Sequence, residues 1–68
     1  MNTFAKNLGL LMSENLISQK MLAKELNVKQ QTVSRYISGE REPDLDVVIK
    51  IANYFEITVG QLVGTEEY

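Results

Sequence analysis

Four side chains within the run Gln-Gln-Thr-Val-Ser-Arg-Tyr could read hydrogen-bonding edges: Gln30, Gln31, Ser34 and Arg35. A glutamine amide presents an acceptor and a donor together, which matches the N6 and N7 edge of adenine. A guanidinium presents two parallel donors, which match O6 and N7 of guanine. A hydroxyl serves in either role, and Thr32 adds a methyl suited to thymine and a hydroxyl suited to phosphate. Chemistry of this kind needs no acid, base or nucleophile. It needs the side chains held outward on one rigid surface. The bland alternative is a solvated polar face, which describes many helices of this composition.

Candidate backbone contacts surround this set. Gln19 and Lys20 open the preceding helix, where free N–H groups and the helix dipole favour an anion. Lys29 sits at the leading tip of the reading helix, and Arg41 lies in the loop beyond it. With Thr32, these make five candidate phosphate ligands. Gln19 is otherwise a plain first-turn residue, Lys29 a surface lysine, and Arg41 a partner for Glu40 or Glu42.

The elements that must position these groups are helical. Phe4, Leu8, Leu11 and Met12 recur at helical spacing and define a first helix, with Thr3 or Asn2 as its cap. Gly9 inside it either allows a neighbour to approach or is merely tolerated. Asn15 and Leu16 link to a second helix capped by Ser18, with Leu22, Ala23 and Leu26 inward. Asn27 accepts left-handed geometry and suits a tight turn. If Val33 and Tyr36 face the core, steps of about 100° turn Gln31, Ser34 and Arg35 outward, with Gln30 at the tip. Gly39 ends the third helix, and Glu40 to Pro43 form a loop. Asp44 caps a fourth helix whose apolar stripe reads Leu45, Val48, Ile49, Ala52 and Phe55. Thr58 and Gln61 fit a capping box for a fifth helix closed by Gly64. Leu10 and Val47 are expected to be exposed. The fold class is all-α, with five helices in one domain over residues 1–64 and a frayed tail over 65–68.

Composition narrows the function classes. The chain has 68 residues, no cysteine and no histidine, so thiolate and imidazole chemistry are unavailable. Asp44 and Asp46 read as helix-start charges rather than a carboxylate pair. No glycine-rich phosphate loop, metal-ligand cluster or cofactor motif is present, and an enzyme is not expected. No apolar run reaches the ~18 residues of a membrane span, and no leader is evident, so a cytoplasmic protein is expected. Net charge is −2, but its distribution is uneven. Residues 19–41 hold five cations against two anions, and residues 42–68 hold one cation against six anions. A basic patch can therefore face phosphate on an acidic molecule, with modest and salt-sensitive affinity.

Taken together, Phe4, Leu8, Leu11, Ser18-Gln19, Leu22-Ala23, Leu26, Val28, Val33, Arg35-Tyr36, Gly39, Arg41, Pro43-Asp44-Leu45 and Leu62-Val63-Gly64 resemble the helix-turn-helix family of lambdoid phage repressors, Cro proteins and their bacterial relatives. The resemblance spans Phe4 to Gly64. It implies a compact lambda-repressor-like domain with the helix-turn-helix at helices two and three. It also implies a transcriptional regulator, most often a repressor, whose third helix enters the major groove of operator half-sites. Such proteins commonly bind double-stranded DNA as two-fold homodimers, which makes Tyr54, Val59, Leu62 and Val63 candidates for a dimer surface. Leu62 is better explained as core. No small-molecule ligand or membrane partner is implied.

Three departures from the family pattern carry expectations. Met12 and Ile37 stand where relatives often pair arginine with glutamate, so an apolar contact is expected to replace a partly buried ion pair. Leu16 and Glu56 stand where glycine is frequent, so strained turns are expected. Lys29 stands where a serine or threonine cap is common. The competing reading is an antitoxin-like or regulatory protein-interaction module that keeps the fold, mildly favoured by the acidic second half.

Overall fold

The computed structural model describes residues 2–65, which form α1 (Asn2–Glu14), α2 (Gln19–Leu26), α3 (Gln30–Ser38), α4 (Leu45–Tyr54) and α5 (Val59–Val63). Three of these helices start where a short polar side chain can satisfy a free amide. Ser18 Oγ accepts from the Met21 amide at 3.1 Å, and Asp44 Oδ1 accepts from Val47 at 3.0 Å. Thr58 and Gln61 complete a reciprocal capping box, both bonds at 2.9 Å. Lys29, at the start of α3, makes no side-chain cap. Asn2 and Thr3, expected to precede α1 as its cap, both lie within the helix.

Every helix is followed by a left-handed residue: Leu16, Asn27, Gly39, Glu56 and Gly64. Four of the ends share one turn, in which the amide after the left-handed residue returns to a carbonyl five positions back; at the end of α5 it is Thr65 to Gly60. Ile17 bonds Met12 at 2.9 Å, Val28 bonds Ala23 at 2.9 Å and Ile57 bonds Ala52 at 3.0 Å. In these three the residues so joined are apolar, one in the core cluster and the other packed against it. The strain expected at Leu16 and Glu56 is therefore present, with φ of 55° and 58°, a conformation costing roughly 1–2 kcal/mol for a residue with a Cβ. A substitution at Gly64 is strained, because φ is 91° and a Cβ there would force the Thr3 side chain to shift.

The core gathers Phe4, Leu8, Leu11 and Met12 of α1, Leu22, Ala23 and Leu26 of α2, Val33 and Tyr36 of α3, Val48, Ile51 and Ala52 of α4, and Leu62 of α5. Phe4 and Tyr36 meet edge to face with ring centroids 6.4 Å apart, joining α1 to α3. Asn7 donates to the carbonyls of Gln61 and Leu62 at 3.2 and 3.0 Å, satisfying acceptors at the end of α5. Met12 is buried and Ile37 packs against the same cluster, so neither lies in open solvent.

The buried stripe of α4 is rotated from the one expected. Leu45 is 67% exposed and Ile49 is also exposed, whereas Ile51, absent from the expected stripe, is fully buried. The spacing from Val48 through Ile51 and Ala52 is a regular helical face, and contacts with both α2 and α5 select it. Val47, expected outside, is half-buried against the core, while Leu10 is exposed as expected. Thr65 is not frayed: its amide bonds the Gly60 carbonyl at 2.8 Å. The remainder of the expected tail, residues 66–68, lies outside the described residues.

Candidate nucleic-acid interface

Val33 and Tyr36 fix the rotation of α3. Both are buried against α1 and α2, and with that face anchored Gln30, Gln31, Ser34 and Arg35 stand exposed on the other side. Among the described residues, no hydrogen bond or ion pair occupies the side chains of Gln30, Gln31, Ser34 or Arg35. The helix start leaves further donors open, since Lys29 supplies a carbonyl to the Thr32 amide at 2.9 Å but no side-chain acceptor. Uncapped N–H groups beside a lysine form an electropositive tip.

One side of α3 borders a cleft of about 530 Å³, lined by Val28, Lys29, Gln31, Thr32, Arg35, Tyr36, Arg41, Asp44 and Val47. Five of the nine residues assigned to base or phosphate contact therefore meet in one place: Lys29, Gln31, Thr32, Arg35 and Arg41. Arg41 arrives there because the loop after Gly39 is tied to α3. The Arg41 amide donates to the Arg35 carbonyl at 3.3 Å. Ser38 Oγ donates to the same carbonyl at 3.1 Å and accepts from the Glu40 amide at 3.4 Å. Gln30 and Ser34 lie on the outer face of α3 outside the cleft. Gln19, half-buried, and Lys20, exposed, occupy the first turn of α2 and do not line it.

Four cleft residues were not assigned to this face from the sequence: Val28 and Tyr36, read as inward-facing, and Asp44 and Val47. Asp44 brings one carboxylate among three cations, and Val47 supplies part of the apolar wall. The Pro43-Asp44-Leu45 segment following Arg41 is the signal that could have located both, because it returns the chain to α3. Leu62 must be withdrawn from the candidate dimer surface. It is 0% exposed, held in the core between α1 and α4, and has no area to offer. Tyr54, Val59 and Val63 keep part of their surface outside.

Among the described residues, no cluster of acidic, histidine or cysteine side chains could hold a metal ion. No helix of the described chain is long and apolar enough to cross a membrane.

The two helices joined by a three-residue turn, with a polar outer face on the second, define a helix-turn-helix module. The helix-turn-helix family profile matches residues 5–62, and the chain belongs to that family, in its Cro and phage-repressor branch. It is 32% identical over 50 residues to the HTH-type transcriptional regulator ImmR of Bacillus subtilis, covering 74% of this chain and 39% of that protein. It is 28% identical over 64 residues to the HTH-type transcriptional activator BcrR of Enterococcus faecalis, covering 94% of this chain and 31% of that one. A crystal structure of a transcriptional regulator from Listeria innocua superposes with a TM-score of 0.89 at 38% identity, covering 96% of this chain and 61% of the other. The chain thus spans between about a third and two-thirds of the length of these relatives. The family is one of regulators, not enzymes.

Proposed function

We propose that this chain is a sequence-specific, double-stranded DNA-binding transcriptional regulator that inserts α3 into the major groove of operator half-sites. One observation carries the reading: Val33 and Tyr36 pin α3 to the core while Gln30, Gln31, Ser34 and Arg35 stand exposed and unpaired among the described residues. Gln30, Gln31 and Arg35 read base edges, Ser34 serves as donor or acceptor, and Lys29, Thr32 and Arg41 hold the backbone that flanks the groove. Gln19 and Lys20 hold a second phosphate at the start of α2. The regulator works in the cytoplasm as a repressor, by occupying sequence that polymerase needs.

One α3 covers few base pairs, so the binding unit is a two-fold homodimer on half-sites about one helical turn apart. Tyr54, Val59 and Val63 supply its surface, since each is apolar and half-exposed at the α4–α5 end. Selection from random duplexes followed by gel shift of the winner tests the reading. An enriched, palindromic site whose affinity falls steeply with salt is the expected result, with a log–log slope of about −0.9 per phosphate contacted. Failure to enrich any sequence, even in dilute buffer, overturns it. Placing the enriched site within a promoter separates repression from the activation named for BcrR.

A further inference from the structure

On the molecule outside the α3 cleft, the C-terminal ends of α1 and α4 converge on a groove of about 390 Å³ lined by Leu10, Leu11, Glu14 and Ile57. Its floor is apolar, and Glu14 is the one charged residue in its lining. Glu56 adjoins Ile57, and both helices point their negative dipole ends here. Two residues beyond Glu14 stands Leu16, 87% exposed and in left-handed backbone geometry. A leucine there is unfavourable twice, once for its Cβ and once for its hydration. Among the described residues, the Leu16 side chain belongs neither to the core cluster nor to the residues packed against it. An apolar groove with a carboxylate in its lining, two residues in sequence from an exposed leucine, suits an occupant that is apolar and cationic.

The chain's last described residues do not supply one. The backbone at Gly64 packs against Thr3, at the opposite end of α1 from Glu14, and the sequence beyond Thr65 begins with two glutamates. The surface of α2 does. Met21 is 48% exposed, and Lys24 stands three residues on, also exposed, on the same face of the helix. We propose that this α2 face of one copy seats in the α1–α4 groove of a second copy, with Met21 against Leu10, Leu16 and Ile57 and Lys24 toward Glu14. The contact shares no residue with the α5 surface assigned above to the two-fold dimer, and it uses no side chain assigned to DNA. It is far smaller than the ~1,200 Å² of a stable interface, so it is weak between free molecules and effective between copies already held side by side.

The experiment is a concentration series of amide spectra on the full chain without DNA, from micromolar to millimolar, so that its outcome is independent of DNA binding. The expected result is concentration-dependent shifts at Leu10, Leu16, Met21, Lys24 and Ile57. Glu14→Lys and Lys24→Glu should each weaken self-association roughly fivefold, and the double variant should recover it. Leu16→Gly should weaken it roughly tenfold while raising the melting temperature, a pairing that a purely structural leucine would not give. Absence of shifts, shifts confined to Tyr54, Val59 and Val63, or a double variant no better than the singles would each overturn the proposal.

Discussion

At the start of α2 the Ser18 hydroxyl accepts from the Met21 amide at 3.1 Å, whereas the equivalent position before α3 is Lys29, with no cap at all. Asp44 and Thr58 do for α4 and α5 what Ser18 does for α2. Among α2 to α5, the helix that is not capped from within is the one whose outer face reads as the base-contacting surface. A cap at Lys29 would engage amides that can otherwise bond a phosphate, and a cation there is unfavourable for the isolated helix but favourable beside an anion. On the proposed function, the difference teaches that α3 is left to be completed by a DNA phosphate, whereas α2 is completed by its own sequence.

The sharpest way to break that comparison is to remove a reading side chain. Gln31→Ala leaves the fold alone, since Gln31 is exposed. It is expected to cost roughly 1–3 kcal/mol on the preferred duplex while non-specific binding barely changes. Parallel titrations on the two DNAs decide it, and equal losses would reassign Gln31 to the backbone.

Next in size is an exchange of entrances. Ser18→Ala removes a cap and should destabilise the chain by about 1 kcal/mol. Lys29→Ser installs one and should stabilise by a similar amount, yet weaken binding on every duplex and shallow the salt slope by about one phosphate. Urea denaturation and salt-dependent gel shifts measure the two halves. A Lys29→Ser variant that binds as well as its parent would mean that α3 needs no help from phosphate at its tip.

Much of this was legible in the sequence because it rests on local chemistry. Ser18, Asp44 and the Thr58–Gln61 pair cap helices through bonds spanning three residues, and Asn27, Gly39 and Gly64 turn where such residues turn most easily. The outward set on α3 followed from Val33 and Tyr36 alone. What escaped notice depends on contacts distant in sequence. The α4 face was misplaced because Leu45, Val48, Ile49 and Ile51 are all aliphatic, so hydropathy does not choose between adjacent stripes. Packing against α2 and α5 chooses. Asp44 and Val47 enter the cleft only because the loop folds back on Arg35.

Helix ends extend the comparison to a smaller effect. The α2–α3 turn passes through Asn27 and α3 ends at Gly39, both suited to positive φ, while α4 leaves through Glu56 at 58°. Glu56→Gly should stabilise by about 1 kcal/mol, the cost of the left-handed Cβ offset in part by glycine's greater unfolded freedom. DNA affinity should not move, since Glu56 lies outside the α3 cleft. A loss of stability in a melt would place a favourable contact on Glu56 that outweighs its backbone.

The smallest expected change lies inside α1, against the back of α3. Gly9 is helical and half-buried, and a Cβ built there would meet Ile37 Cγ2 at 3.8 Å, an ordinary van der Waals contact. Close approach of the helices therefore does not require glycine, and the entropic penalty of glycine in a helix interior can be recovered. Gly9→Ala is expected to stabilise by about 0.5–1 kcal/mol and to leave operator affinity unchanged, because the added methyl extends an existing contact on the buried side of α3. Chemical denaturation with a parallel gel shift checks both halves. If stability rose but specific affinity fell, the orientation of α3 would depend on how Ile37 rests against α1, and the buried face would be setting the reading face more finely than Val33 and Tyr36 do alone.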